Sequence, residues 1–232
     1  MARQLAPCVW LLELGIPVVG ANAFLVDDRT VTRDGAVTLV DAGLPWIGLR
    51  RELGDAGFRV ADIDRVLITH YDIDHVGGLH DLPDLDAPVF VGRRDADLLA
   101  GIYDPPLFHH KGAFHRLVRR FVSVPSRLDV RSVDDGTRIG GFTAHHTPGH
   151  NPGHTAYVHD ELGVGFLGDL VWERDGSLTP PEWWDSYDTR QIKRSIRRFA
   201  GAVPPLELLC VGHGQPILRD GSEALSRLVR RL

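Results

Sequence analysis

The chain has 232 residues, of which 43% are hydrophobic and 25% charged, a composition that fits one large globular domain with a substantial core. Its net charge of −5 disfavours a nucleic-acid partner, because nucleic-acid-binding domains usually carry a basic patch. The two cysteines, Cys8 and Cys210, exclude a disulfide framework and a cysteine zinc motif and favour a reducing cytoplasm. No apolar run reaches the length of a membrane span, about 20 residues.

The first hundred residues predict a β-rich opening followed by alternating strands and helices. Alternating or continuous apolar runs are typical of strands, and apolar positions three or four apart are typical of helices. The predicted strands are Val9–Leu14, Ala23–Val26, Val37–Asp41, Ile63–Thr69 and Val89–Val91. The predicted helices are Ile47–Gly57, a helix that begins at His75 and ends before Pro83, and Arg94–Ala100.

Residues 101–127 break this alternation and have two open interpretations. The segment is either a lid over a pocket or a surface helix packed through apolar side chains, namely Phe114, Leu117, Val118 and Phe121. Its polar residues His109, His110, Lys111 and His115 are interpreted as solvated, with contact to an anionic substrate group as the alternative.

The second half repeats the β-rich pattern. The predicted strands are Val130–Val133, Arg138–Ile139, Phe142–His146, Thr155–His159, Gly163–Leu167 and Leu206–Val211, and the predicted helices are Gln191–Ala200 and Glu223–Leu232. Two similar halves indicate a pseudo-duplicated sandwich, with two sheets face to face and helices outside. Because no Gly/Ser-rich or Pro-rich linker separates the halves, we expect a single domain over residues 1–232.

The densest chemical signal follows the strand Ile63–Thr69. Four potential metal ligands lie within six residues, at His70, Asp72, Asp74 and His75. Clustered carboxylates are costly to bury without a cation, so the cluster predicts a metal site. Gly77 and Gly78 permit the turn that brings His75 round to the same side.

Three further ligand-type residues each follow a predicted strand and have a glycine as neighbour. They are His150 in Thr147-Pro148-Gly149-His150, Asp169 in Gly168-Asp169, and His213 in Gly212-His213-Gly214. Each is weak alone, but their joint occurrence in this order is a strong signal.

From Val40-Asp41-Ala42-Gly43 to His213, the chain resembles the metallo-β-lactamase superfamily, in its glyoxalase II and lactonase-like part. The resemblance implies an α/β fold, the four-layer αβ/βα sandwich, with metals at one edge of the sheets. The family motif H-x-H-x-D-H falls on His70, Asp72, Asp74 and His75, with Asp72 where a second histidine is usual.

The same resemblance implies a ligand set for two divalent ions. One site would take His70, Asp72 and His150, the other Asp74, His75 and His213, and Asp169 with a hydroxide would bridge them. Asp41 would accept a hydrogen bond behind the ligands, and His154 would be structural.

The implied activity is hydrolysis of an ester, lactone or thioester in a small-molecule substrate, with a metal-bridging hydroxide as nucleophile and Asp74 as proton acceptor. The alternatives are an iron-dependent oxidoreductase, a phosphodiesterase or nuclease of the same superfamily, and a non-catalytic metal-binding protein. Trp172 stands where related lactonases carry a tyrosine, which weakens a lactonase assignment. Trp172, Trp183 and Trp184 are interpreted as apolar pocket wall or as packing.

Asp72 sets the expected metal preference. Zinc is the first expectation, but a further carboxylate makes the site less positive and favours Mn or Fe as alternatives. Three possibilities stay open for Asp72: direct ligation, ligation through water, or one weakly occupied metal position.

Overall fold

The structure is a computed structural model that describes residues 1–16, 20–100, 102, 107–118 and 128–232. Of the predicted lid segment, residues 101–127, the structure describes only 102 and 107–118, so the lid stays a prediction. The strands of the first half are β1 Arg3–Ala6, β2 Val9–Glu13, β3 Asn22–Asp27, β4 Val37–Val40, β5 Arg65–Ile68, β6 Val89–Gly92 and β7 Val130–Val133. Its helices are α1 Leu49–Asp55, α2 Ile73–Val76, α3 Arg93–Leu99 and α4 His110–Val118, with short 3-10 helices at Val60–Asp62 and Gly77–Asp81.

The first seven strands form one sheet in sequence order. The first three pairings, from β1 to β4, are antiparallel, and the last three, from β4 to β7, are parallel. Parallel neighbours need crossover connections, which α1 and α3 help to provide. Strands β4 and β5 are buried along their whole length, which explains their continuous apolar sequence.

The second half forms a five-stranded sheet in the order β14-β11-β10-β9-β8, next to a small hairpin of β12 and β13. Its strands are β8 Arg138–Ile139, β9 Phe142–His146, β10 Thr155–His159, β11 Val164–Gly168, β12 Trp172–Arg174, β13 Ser177–Thr179 and β14 Leu208–Val211. Its helices are α5 Thr189–Ala202 and α6 Gly221–Val229, with a 3-10 turn at Trp183–Asp185. Strands β11 and β14 are parallel neighbours.

Three apolar layers confirm the four-layer sandwich. One layer packs α1 and its neighbours on the first sheet, as Leu49 and Leu53 do. The middle layer lies between the sheets and joins Phe24 to Phe166. The third packs α5 and α6 on the second sheet, through residues such as Phe199. No described helix has both the length and the apolar character that a membrane crossing requires.

Helix α4 differs from its prediction as a surface helix packed by apolar residues. Phe114 and Leu117 are 56% and 57% exposed, so this interpretation is wrong for both; the Val118 side chain and Phe121 lie outside the described part of the chain. The helix instead buries Lys111 and His115, because a carboxylate of the neighbouring site faces that side. The interpretation of these two residues as solvated is also wrong.

Candidate metal centre

Strand ends assemble the candidate site. Asp41 follows β4 and His70 lies just past β5, its parallel neighbour, while Asp169 and His213 lie just past the parallel pair β11 and β14. Carboxyl ends of parallel strands meet at one edge of a sheet, and packing of the two sheets brings the two edges together. His150 joins them from the loop between β9 and β10.

The start of α2 orients the rest of the motif. Asp72 has extended backbone at the N-cap position, and Asp74 and His75 belong to the short helix that follows. A Cβ on Gly78 would collide with the carbonyl oxygen of Ala42, so only glycine allows the turn after α2 to pack this closely on the end of β4.

All seven predicted ligands converge in two clusters. Asp74, His75 and His213 offer one set of ligand atoms within 4.8 Å of one another, and His70, His150 and Asp169 offer another. Asp72 adjoins the second set, with its Oδ2 atom 3.5 Å from His70 Nε2 and 3.2 Å from His150 Nε2. Their role as ligands stays a prediction.

Asp169 joins the two clusters. Its Oδ1 lies 3.4 Å from His75 Nε2, and its Oδ2 lies 3.1 Å from His213 Nε2 and 3.5 Å from His150 Nε2. The indole Nε1 of Trp172 donates to the same Oδ2 at 2.9 Å. A Cβ on Gly212 would collide with Asp169 Oδ1, so glycine at this position leaves room for the carboxylate.

Two buried atoms at the centre show that the residues fit a metal ion. His75 Nε2 and Asp169 Oδ1 face each other, and neither has a hydrogen-bond partner among the described residues. A buried carboxylate oxygen and a buried imidazole nitrogen that make no hydrogen bond are costly. Both are ordinary ligands of first-row divalent ions, which would satisfy them together.

Asp41 and Thr69 orient two of the imidazoles. Asp41 Oδ2 lies 2.9 Å from His75 Nδ1 and accepts the Thr69 hydroxyl at 2.8 Å. The Thr69 oxygen lies 3.0 Å from His70 Nδ1 and can accept from it. Both rings therefore direct Nδ1 to these oxygen atoms and Nε2 towards the clusters. Asp41 does this from a left-handed backbone conformation, with φ 58°.

The charges of the two clusters differ. Burial lowers the pKa of His75, but the Asp41 and Asp169 carboxylates outweigh it and hold this pKa well above its usual value. Against burial, Asp169 likewise raises the pKa of His213 to about 9. Burial and the neighbouring His75 hold the pKa of His70 well below its usual value. Carboxylates thus favour positive charge beside His75 and His213, where a metal ion would replace the protons.

Sequence reasoning missed the partners of Asp72. Lys111 Nζ lies 2.8 Å from its Oδ2, His115 Nε2 lies 3.1 Å from its Oδ1, and the Asn151 amide donates to Oδ1. Burial alone would raise the pKa of Asp72, but Lys111 and His115 hold it well below its usual range. Because Lys111 and His115 were interpreted as solvated, their contacts with Asp72 were not predicted.

Asp95 is a second missed residue. Its carboxylate accepts from the backbone N–H of Tyr71 at 3.1 Å and of Gly153 at 2.7 Å. It thereby ties the motif loop to the loop that carries His150. Complete burial raises the pKa of Asp95 to about 7.

His154 is structural, as expected. Its Nε2 accepts from the backbone N–H of Asp169 at 3.0 Å, and its Nδ1 lies 2.8 Å from the Thr147 hydroxyl. With both nitrogens used in this way, the ring supports the strand end that carries Asp169.

A cavity of about 630 Å³ opens beside the clusters and reaches Asp72, Asp74 and His213. Its apolar wall includes Ile73, Phe114, Trp172 and Trp184, and its rim includes Arg174. The pocket-wall interpretation is therefore confirmed for Trp172 and Trp184. Trp183 is 68% exposed and does not line this cavity.

Two curated relatives are similar in sequence over most of this chain. The probable metallo-hydrolase YqjP of Bacillus subtilis is 25% identical over 233 residues, which cover 84% of this chain and 69% of that protein. A hydroxyacylglutathione hydrolase of Cereibacter sphaeroides is 26% identical over 203 residues, which cover 85% of this chain and 64% of that protein.

Solved structures share the fold. A metallo-β-lactamase family protein of Thermus thermophilus, TTHA1429, superposes with a TM-score of 0.72 at 24% identity, over 98% of this chain and 80% of that one. TTHA1623, solved in a di-iron-bound form, gives a TM-score of 0.65 at 27% identity, over 92% of this chain and 96% of that one.

The family profile agrees with the ligand geometry. The profile described as the metallo-beta-lactamase superfamily matches residues 16–227, which include all seven predicted ligands and Asp41. With the four-layer sandwich and the histidine and aspartate clusters at its sheet edges, this match shows that the chain belongs to the metallo-β-lactamase superfamily.

Proposed function

We propose that the chain is a divalent-metal-dependent hydrolase of carboxyl esters and thioesters in small molecules. The observation that carries the proposal is the contact between His75 Nε2 and Asp169 Oδ1, which lie buried 3.4 Å apart between the two clusters, with neither atom in a hydrogen bond among the described residues. Divalent ions held there would supply a nucleophilic water at neutral pH and would polarise a carbonyl oxygen.

The ligands divide as the two clusters do. Asp74, His75 and His213, with Asp169, are proposed to hold the ion on which hydrolysis depends. His70 and His150, with Asp169, provide a place for a second ion, and Asp72 stands next to it. Iron is a candidate metal beside zinc, because TTHA1623 has been solved with two irons.

Asp74 is the proposed proton carrier. Its Oδ2 lies 3.4 Å from His213 Nε2, and the residue also lines the cavity, where a substrate would be bound. A carboxylate in this position can take the proton of the attacking water and pass it to the leaving group.

The cavity supports a substrate with an apolar acyl or leaving group. Trp172, Trp184 and Phe114 offer aromatic surface on which such a group can pack. The thioester part of the proposal comes from the hydroxyacylglutathione hydrolases among the relatives. The name of these relatives gives a thioester substrate for them, and we propose the same class for this chain.

A substrate panel tests the proposal. Purified protein is assayed with zinc, manganese or ferrous ions on an aryl ester, an acyl-glutathione thioester, a lactone, a β-lactam and a bis-aryl phosphate. We expect ester and thioester turnover that a chelator abolishes and that Asp74→Asn reduces at least about 100-fold. Turnover of the phosphodiester alone would support the alternative nuclease-like activity, and chelator-resistant ester hydrolysis would contradict a metal mechanism.

A further inference from the structure

Lys111 reaches from α4 towards His70, Asp72 and His150. These three residues are the second cluster without the shared Asp169 and with the adjoining Asp72, and they are called the His70–Asp72–His150 cluster below. Its Nζ lies 2.8 Å from Asp72 Oδ2, 2.8 Å from His150 Nε2 and 2.8 Å from the carbonyl oxygen of Asp185. The Asp185 carboxylate adds a longer contact of 3.7 Å. The side chain is 2% exposed, and its three close contacts match the three hydrogens of an ammonium group.

The same cluster has the shape of a metal tripod. His70 Nε2 and His150 Nε2 are 3.2 Å apart, and Asp72 Oδ2 lies 3.5 Å from the first and 3.2 Å from the second. An ion bound about 2.1 Å from each of these atoms would lie within about 4 Å of Lys111 Nζ. The ammonium and the ion would therefore either overlap or repel each other.

His150 makes the competition specific. Lys111 Nζ lies 2.8 Å from Nε2 of this ring and 3.3 Å from Nδ1, so the ammonium lies against the ring. An ion bound to this Nε2 would have the ammonium as its immediate neighbour, and the two cations would repel each other. The other three cluster imidazoles have a different arrangement. His70, His75 and His213 place Nδ1 beside Thr69, Asp41 and the carbonyl oxygen of Gly20, which leaves Nε2 for a metal.

Lys111 already pairs with the charge of Asp72, 2.8 Å from its Oδ2 atom. A divalent ion in the same cluster would add a second cation within about 4 Å of the seated ammonium, and this repulsion is costly in a low-dielectric site.

We propose that the Lys111 ammonium is the resident cation of the His70–Asp72–His150 cluster, so that the chain binds one divalent ion tightly and a second one weakly. The tight ion belongs to Asp74, His75 and His213 with Asp169. The proposal rests on the metal-dependent function proposed above. It also explains the carboxylate at position 72, because an aspartate can pair with an ammonium and an imidazole cannot match that charge.

Zinc stoichiometry tests this proposal. Lys111 and Lys193 are the two lysines of the sequence, and Lys193 is exposed on α5, so Lys193→Met is a matched control for Lys111→Met. After dialysis against micromolar zinc and removal of free metal, we expect one zinc per chain in the wild type and in Lys193→Met, and two in Lys111→Met. Competition with a chelating dye should show the second zinc at least about tenfold tighter in Lys111→Met.

Two results separate the proposals. Two equally tight zinc ions in the wild type and in both variants would overturn the role of Lys111 and leave the metal-dependent function intact. A wild type that binds no zinc, manganese or iron would overturn the proposed function itself.

Amine labelling tests the same proposal on the wild type, so a folding defect of Lys111→Met cannot affect the result. Acetic anhydride should modify Lys193 much faster than Lys111 in the one-zinc protein, as read by peptide mass spectrometry. Saturating zinc should raise the Lys111 rate at least about tenfold, because the second ion displaces the ammonium from its partners. Equal rates for the two lysines in the one-zinc protein, or a Lys111 rate that zinc does not change, would overturn the proposal.

Discussion

The Asp74–His75–His213 cluster and the His70–Asp72–His150 cluster use the same residue types at the same edge of the sandwich. In the first, His75 Nε2 has no hydrogen-bond partner among the described residues, and neither does the facing Asp169 oxygen. In the second, Asp72 and His150 already contact Lys111. The comparison teaches that two clusters with the same ligand types and similar spacing can differ in the charges packed around them, and we expect those charges to decide how strongly each cluster holds a metal.

Replacing the residue shared by both clusters should have the largest effect. Asp169→Asn removes the charge that faces His75, His150 and His213, so we expect loss of tight metal binding and a fall in kcat/KM on the order of 1000-fold. Metal analysis and ester hydrolysis measure both. Asp175→Asn, at an exposed turn, is the control. Normal metal content in Asp169→Asn would contradict the bridging position.

Asp95 is the buried carboxyl that connects the motif loop to the loop that carries His150, and its titration can be measured. Its pKa of about 7 exceeds the unfolded value of about 4, so between these pH values the folded chain keeps a proton that the unfolded chain releases. The contribution of Asp95 to the free energy of unfolding should therefore fall as pH rises from 4 to 7, by a few kcal/mol.

Urea unfolding of chelator-treated protein across this pH range measures the effect. We expect the wild type to lose more stability than Asp95→Asn as pH rises from 4 to 7, while Asp86→Asn, at an exposed position, follows the wild type. An identical slope in the wild type and in Asp95→Asn would show that another group carries the titration.

Asp41 distinguishes the two clusters, because it contacts His75 directly and His70 only through Thr69. Asp41→Asn should weaken the tight ion about 10- to 100-fold, since the His75 ring loses the acceptor that fixes its tautomer. Zinc competition titrations measure this, with Asp34→Asn as an exposed control. An unchanged dissociation constant would show that packing alone orients His75.

Trp172 should give the smallest effect. Trp172→Phe keeps an aromatic wall but removes the 2.9 Å hydrogen bond to Asp169 Oδ2, so we expect kcat to fall about tenfold or less. Trp183→Phe, outside the cavity, should leave the rate unchanged. If both variants matched the wild type, the indole N–H would have no role in positioning Asp169.

Several predicted ligand positions could be found from the sequence because they follow apolar strands. His70, Asp169 and His213 stand next to predicted strand ends, and parallel pairing brings those ends together. The fold class and the family could be predicted for the same reason. The strand β1 and the hairpin of β12 and β13 were missed, because each of these strands is short and has only one or two apolar residues.

Lys111, His115 and Asp95 could not be predicted as parts of the site. Asp95 contacts Gly153, 58 positions away, and Lys111 contacts Asp72 from a helix whose sequence suggested burial of Phe114 instead. Such contacts depend on how helices dock on the sheets, which residue spacing does not encode. The buried charge of Asp72 selected a basic helix face over an apolar one.

Part of the cavity wall comes from elements that carry none of the predicted metal ligands. Phe114 comes from α4 and Trp184 from a 3-10 turn, whereas His70, Asp169 and His213 stand at strand ends. A directed-evolution library confined to Phe114 and Trp184 can therefore vary this part of the wall, and so the acyl groups that fit, while Trp172 and the predicted ligands stay unchanged.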